Sequence, residues 1–234
     1  NQVFAVLIGG LIIAIVGIID DIRGLSIWIR LLTETAVAFV MAWMGFKLDI
    51  FLPEITTWII TIFWVIGITN AFNLLDGADG LASGVGIISS LILAGIMFFG
   101  NQPLIGLLLL TLAAAIGGFL RYNLPPARVF MGSAGSMFIG YILSITTILA
   151  TFTINNACTN YVIALPIVIL SIPLYDTLSV IFLRSIKKVS ITKGDLNHLV
   201  HRLMRAGFSQ KKAVFLIYLI SSAIGILGIL LIWT

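Results

Sequence analysis

The stretch that indicates the fold is "ITTWIITIFWVIGITNAFNLLDGADG", residues 55–80. Its first eighteen residues contain no charged side chain. As a helix they would be about 27 Å long, close to the roughly 30 Å hydrocarbon core of a bilayer. Two Asn and two Asp then fall within ten positions at the end of this run. The stretch therefore predicts a transmembrane helix with a polar site at its end.

Apolar runs of span length recur along the whole chain. Hydrophobic residues make up 60% of its 234 positions and charged residues 9%. Polar breaks delimit eight candidate spans at roughly 3–19, 29–46, 55–72, 83–99, 104–120, 137–154, 161–183 and 213–233. We predict helices, because a backbone in lipid must satisfy its own hydrogen bonds and the alternation of a barrel strand is absent. The predicted fold is all-α, a polytopic membrane bundle of about eight helices in one domain over 1–234.

The basic residues indicate an orientation. If the eight spans alternate, twelve of the thirteen Lys and Arg residues lie on one face and Lys47 lies on the other. The positive-inside rule makes the first face cytoplasmic. The net charge of +4 is then a topology signal, and we expect no nucleic-acid partner because the charges follow loops beside lipid.

Six of the nine acidic residues map to this same face. Asp20 and Asp21 are adjacent at the end of the first span, where acids oppose the helix dipole at a cost of about 0.3–1 kcal/mol per charge. We therefore expect a cation nearby. Glu34 follows Arg30 by four residues, which favours an intrahelical ion pair, with a functional role as the alternative.

Two further segments at this face carry polar or small residues. In "NAFNLLDGADGLASG" (70–84) the Asp-Gly pairs are typical of turns, and Asp79 could cap the next helix. Capping explains one Asp at most, so the set predicts a functional site. In "MGSAGS" (131–136), Gly132 and Gly135 at a helix start would expose backbone N–H groups and favour a phosphate.

The longest loop, 184–212, contains both histidines. His198 and His201 would share one face of a helix, with Arg205 one turn further on. Asp and Asn oxygens suit Mg²⁺, which binds through one or two carboxylates plus substrate phosphates. With basic groups to hold phosphate oxygens, the pattern predicts phosphoryl transfer to a lipid at the membrane surface.

These motifs resemble those of the polyprenyl-phosphate N-acetylhexosamine-1-phosphate transferases. "MRAGF" is most similar to the WecA-type branch, which uses UDP-N-acetylglucosamine. The matching pieces occur in the family's order: "DD" (20–21), "NAFNLLDGADGLA" (70–82), "VFMGSAGSM" (129–137), "PLYD" (173–176) and "HLVHRLMRAGF" (198–208).

The resemblance implies transfer of N-acetylglucosamine 1-phosphate from a UDP-sugar to undecaprenyl phosphate, with release of UMP, to start a cell-envelope polysaccharide such as O-antigen. It implies Mg²⁺, with Mn²⁺ as an alternative, and contacts with membrane lipids; a homodimer is compatible with it. It places the protein in the bacterial inner membrane with a cytoplasmic active site. Family members have ten or eleven spans, so we expect the first two, with the last as an open alternative, to lie outside this chain.

The resemblance also implies roles for individual residues. Catalytic roles fall to Asp20, Asp21 and Asp76, with Asp20 as the candidate base for the lipid phosphate. Metal binding falls to Asn73, Asp76 and Ser133. Substrate binding falls to Asn70, Asp79, Gly132, Gly135, His198, His201 and Arg202.

Two positions depart from the family pattern. Ser133 stands where relatives have an Asp that binds Mg²⁺, and Val200 stands where they have a third His. These departures motivate an alternative, a degenerate homologue that binds the lipid carrier or an assembly partner without turnover. An ion-coupled transporter is disfavoured, because transporters hold such groups near the membrane midplane.

Overall fold

The computed structural model describes residues 2–48, 53–154, 164–187 and 198–232. Within these ranges the regular elements are helices and no β-strand is present. The helices are α1 (Gln2–Arg23), α2 (Ile27–Trp43), α3 (Glu54–Leu75), α4 (Leu81–Phe99), α5 (Pro103–Asn123), α6 (Gly132–Ile154), α7 (Leu165–Ile169), α8 (Ser171–Lys187), α9 (Leu199–Arg205) and α10 (Gln210–Ile232). The prediction of a polytopic, all-helical membrane protein is confirmed.

The described residues support six of the roughly eight predicted spans. Six helices are long and apolar enough to cross a membrane: α1, α3, α4, α5, α6 and α10. The span predicted at 29–46 corresponds to α2, whose 17 residues reach about 25 Å. This helix is shorter than a typical bilayer core.

The span predicted at 161–183 is divided, and its residues 161–163 lie outside the described ranges. The described part forms α7 and α8, which are separated at Leu170. Pro173 lies in the first turn of α8 and has no N–H to donate to the carbonyl of Ile169. The apolar run therefore contains a break that hydropathy alone does not detect.

Helix α6 is the centre of the bundle and packs against α1, α3 and α4. Small residues allow the close contacts: a Cβ at Gly140 would lie 2.8 Å from the Cα of Thr69 on α3. Gly17 of α1 faces the backbone of Ala134 on α6 in the same way. Such contacts matter in lipid, where helices associate through close packing rather than through a hydrophobic driving force.

The two ends of the bundle differ in chemistry. At one end the carboxyl ends of α1 and α3 meet the start of α6. The end of α5 meets the α3–α4 turn there, and this end carries acids and amides. At the other end Lys47 pairs with Glu54 at 3.1 Å and lies 5.5 Å from the Trp58 ring centroid. The polar residues predicted to form a site therefore share one end.

Replacing Gly140 with Ala should destabilise the bundle, because the added methyl group meets backbone atoms of α3 that cannot move aside. We expect a loss of about 1–3 kcal/mol, measured as a lower thermal midpoint in detergent. The matched control is Gly118→Ala on α5, where the new Cβ has no atom within 4 Å. That change should be neutral or stabilising by up to about 1 kcal/mol. Equal shifts in the two variants would contradict this account of the α3–α6 contact.

Candidate active site

Asp21 links the end of α1 to the start of α6. Its carboxylate accepts hydrogen bonds from the backbone N–H groups of Ser133 (2.8 Å) and Ala134 (3.2 Å). Gly132 has φ +68°, and a Cβ there would lie 2.6 Å from Asp21 Oδ2. Glycine is needed here for both its backbone conformation and its size. In this structure the helix start that we predicted to attract a phosphate holds the Asp21 carboxylate.

Asp20 faces a different set of donors. Its Oδ1 accepts from the Leu25 N–H and its Oδ2 from Arg30 Nη1, both at 2.9 Å. Arg30 is thus the cation expected beside the acid pair. Because Arg30 pairs with Asp20, the predicted Arg30–Glu34 ion pair is wrong.

Glu34 instead accepts a hydrogen bond from the Asn70 side-chain amide. Asn70 also donates to the carbonyl of Ile66, one turn earlier in α3. Glu34 is almost fully buried. These contacts tie Asn70, predicted to bind substrate, to α2.

Asn73 and Asp76 lie one and two turns beyond Asn70. Asn73 Oδ1 accepts from the Ser136 hydroxyl at 3.0 Å, which places it beside the first turn of α6. Burial raises the pKa of Asp76 from 3.8 to about 7; a hydrogen bond from the Gly132 backbone lowers it in part, and the charges of Asp21 and Asp79 raise it further. We call Asp21, Asn73, Asp76 and Asp79 the acidic cluster.

A buried amide holds the turn that carries Asp79. Asn123, at the end of α5, accepts from the Gly80 N–H (3.0 Å) and the Ser83 hydroxyl (2.7 Å) and donates to the Val129 carbonyl (2.9 Å). Asp79 itself accepts from the Ala127 N–H at 3.1 Å. The α3–α4 turn and the α5–α6 loop are therefore joined. We did not predict Asn123, whose one signal is an amide that ends an apolar helix.

Helix α10 closes onto the same turn. The Tyr218 hydroxyl donates to the carbonyl of Gly80. The tyrosine ring lies against Gly84, where a Cβ would overlap it. A residue 138 positions away thus supports the turn, and the sequence contains no local signal for this contact.

The predicted histidines lie at α9. His198 immediately precedes the helix, and its Nδ1 lies 2.8 Å from Asp176 Oδ2 on α8. The rings of His198 and His201 are 6.4 Å apart. Arg202 lies in the last turn of the same helix. Val200 is 1% exposed and packs in the apolar core, so this position faces the protein interior.

The acidic cluster suits a hard cation that is coordinated partly by the protein and partly by phosphate oxygens of a substrate. The described residues include no group of three His, Cys, Asp or Glu side chains that could share one metal ion. Mg²⁺ does not need such a cage, since it keeps several waters and binds through one or two carboxylates plus phosphates. The charges of Asp21 and Asp79 beside Asp76 would be relieved by a cation. The donor set therefore fits Mg²⁺.

Fold and site together define a polytopic membrane protein with an oxygen-rich site at one end of its bundle. The chain belongs to glycosyl transferase family 4, whose profile matches residues 3–151. The acidic cluster lies inside this match, whereas α8 and α9 follow it.

Relatives extend the similarity along nearly the whole chain. The chain is 39% identical over 240 residues to the probable undecaprenyl-phosphate N-acetylglucosaminyl 1-phosphate transferase of Bacillus subtilis (strain 168), covering 99% of this chain and 66% of that protein. It is 33% identical to the decaprenyl-phosphate N-acetylglucosaminephosphotransferase of Mycolicibacterium smegmatis (92% and 59% covered). It is 30% identical to the undecaprenyl-phosphate alpha-N-acetylglucosaminyl 1-phosphate transferase of Escherichia coli K12 (94% and 63%). The chain thus spans 59–66% of the length of these relatives.

Replacing Asn123 with Ala should loosen the polar end of the bundle. The change leaves the buried Gly80 N–H and Ser83 hydroxyl without an acceptor and the Val129 carbonyl without a donor, and each buried group left unpaired costs about 1–3 kcal/mol. We expect a lower thermal midpoint in detergent and faster trypsin cleavage after Arg128, in the loop that Asn123 holds. The control is Gln102→Ala, which removes an exposed amide between α4 and α5. An unchanged cleavage rate in Asn123→Ala would contradict the proposed anchor.

Asp76→Asn should stabilise the metal-free protein in a pH-dependent way. The raised pKa means that ionisation of Asp76 costs stability as the pH rises from about 4 to above 7. Asn cannot ionise, so the variant should show a higher thermal midpoint than the wild type at pH 8 in EDTA. The difference should shrink as the pH falls below 7. A difference that does not change with pH would contradict this assignment.

Proposed function

We propose that this protein transfers N-acetylglucosamine 1-phosphate from UDP-N-acetylglucosamine to a polyprenyl phosphate, most simply undecaprenyl phosphate. The names of the relatives describe N-acetylglucosamine phosphotransfer to undecaprenyl or decaprenyl phosphate. The product would be the lipid-linked sugar that starts a cell-envelope polysaccharide.

The observation that carries this proposal is the position of the acidic cluster. It lies where α1 and α3 end and α6 begins, at one end of the apolar helices. A polyprenyl phosphate keeps its chain in the lipid and its phosphate at the bilayer edge, whereas a nucleotide sugar arrives from water. A site at the helix ends is accessible to both substrates.

The proposed reaction forms one phosphorus–oxygen bond and breaks another. An oxygen of the lipid phosphate attacks the phosphorus that bears the sugar. The bond between this phosphorus and the bridging oxygen breaks, and UMP leaves with the electron pair. The lipid then carries the sugar through a new pyrophosphate. Such a reaction depends mainly on positioning and charge stabilisation.

The residues of the site have distinct proposed roles. Asn73 and Asp76, with Ser133 at the start of α6, would hold Mg²⁺, which would neutralise charge on the phosphate oxygens. Asp21 fixes α6 relative to α1 through the Ser133 and Ala134 N–H groups. Asp79 orders the adjoining loop through Ala127.

Substrate phosphates would be held by basic groups near α9, namely His198, His201 and Arg202. Asp20 is hydrogen-bonded to Leu25 and Arg30, and as the candidate base it would have to exchange one of these contacts.

The excess of Lys and Arg in the loops at this end supports a cytoplasmic site in a bacterial inner membrane.

The test is a transfer assay on membranes that contain the full-length protein. Radiolabelled UDP-N-acetylglucosamine and undecaprenyl phosphate should yield labelled lipid and UMP; EDTA should abolish the product and added Mg²⁺ or Mn²⁺ restore it. Asp76→Asn should lower turnover by about 10-fold or more, by the scale of changes at metal sites. Glu54→Gln, which removes an exposed carboxylate at the opposite end, should match the wild type. No product with any UDP-N-acetylhexosamine would refute the proposed activity.

A further inference from the structure

Asp176 is a buried acid to which the proposed chemistry assigns no role. It lies in the second turn of α8 and is 1% exposed. Both of its oxygens have a partner at α9: Oδ1 accepts from the Leu199 N–H at 2.6 Å, and Oδ2 lies 2.8 Å from His198 Nδ1. One carboxylate thus holds the start of a helix and the ring of the residue before it.

The chemistry of the pair determines which ring nitrogen carries a proton toward Asp176. An ionised carboxylate can only accept, so Nδ1 must be protonated and must donate. His198 is 8% exposed and Asp176 1%, so the imidazole is the member of the pair that can meet a ligand. The nitrogen left for that ligand is Nε2.

A capping role alone does not explain this arrangement. One oxygen is sufficient for the Leu199 N–H, and α9 has a separate attachment because Val200 packs in the apolar core. The second oxygen, Oδ2, contacts Nδ1 of the His198 ring. A carboxylate that holds one nitrogen of a functional imidazole fixes both its protonation and its orientation.

We propose that Asp176 is a positioning residue that orients His198, so that Nδ1–H bonds the carboxylate and Nε2–H is presented to a phosphate oxygen of the substrate. The part that concerns the phosphate rests on the proposed function. A phosphate oxygen needs a donor, so the ring takes part as the imidazolium, and the buried carboxylate balances its charge.

The first test reads the protonation of His198 directly. The chain has two histidines, so ¹⁵N-histidine labelling gives two rings, and a His201→Gln sample assigns them. Magic-angle-spinning NMR of the wild type in lipid should show a protonated Nδ1 at His198. An unprotonated Nδ1 in the wild type would overturn the proposal, whatever the activity.

Asp176→Asn provides the matched change. The amide oxygen should remain on the Leu199 N–H, which turns the NH₂ group toward His198. Two donors cannot face each other, so Nδ1 should lose its proton, which leaves a neutral ring with its one proton on Nε2 and no positive charge for the phosphate. Glu54→Gln, which removes a carboxylate at the opposite end, should leave the His198 signals unchanged. Retention of Nδ1–H in a folded Asp176→Asn protein would overturn the assignment.

The second test asks whether Asp176 acts through His198. In the transfer assay Asp176→Asn should raise the KM for the UDP-sugar by about 10-fold or more, as His198→Gln should. The double variant should be no worse than His198→Gln alone, since both changes remove one interaction. Additive losses would overturn the positioning role. A wild type with no transfer activity refutes the proposed function instead, and the NMR result still decides the geometry.

Discussion

The hydrogen bonds between the Asp21 carboxylate and the first N–H groups of α6 fix the end of α1 at the start of the central helix. They join residues 112 positions apart and resolve two electrostatic problems together. An acid at the carboxyl end of α1 opposes the dipole of that helix, but it complements the positive start of α6. Because α6 is the central helix, this contact ties the acidic cluster to the most buried part of the bundle.

The fold was predictable where one physical rule applied to a whole run of residues. Span length and the absence of charge were sufficient to place α1, α3, α4, α5, α6 and α10. The same rule failed at α7 and α8, because hydropathy treats Pro173 as one more residue while the backbone loses a hydrogen bond there. It was also inaccurate for α2, where the predicted span runs to Phe46 but the helix ends at Trp43.

The site was predictable where its residues are neighbours in sequence. Asp20 and Asp21, and the Asn and Asp of 70–79, each form a pattern at helical or turn spacing, and the structure brings Asp21, Asn73, Asp76 and Asp79 to one end. Their partners gave no such pattern. Asn123 and Tyr218 are isolated polar residues within or beside apolar runs, and each acts across a long sequence separation. The Arg30–Glu34 pair was predicted from helical spacing alone, but Arg30 instead contacts Asp20, ten residues earlier in the chain.

The contact of Tyr218 with the Gly80 turn has a consequence for how the protein is made. Chains emerge from the ribosome amino end first, so α3 and the following turn exist well before α10 is synthesised. Until α10 is in the membrane, the carbonyl of Gly80 has no tyrosine hydroxyl to bond and the surface of Gly84 has no ring against it. The polar end of the bundle is therefore completed only when the last described helix inserts. Release of a shortened nascent chain would leave an embedded protein with an unfinished site.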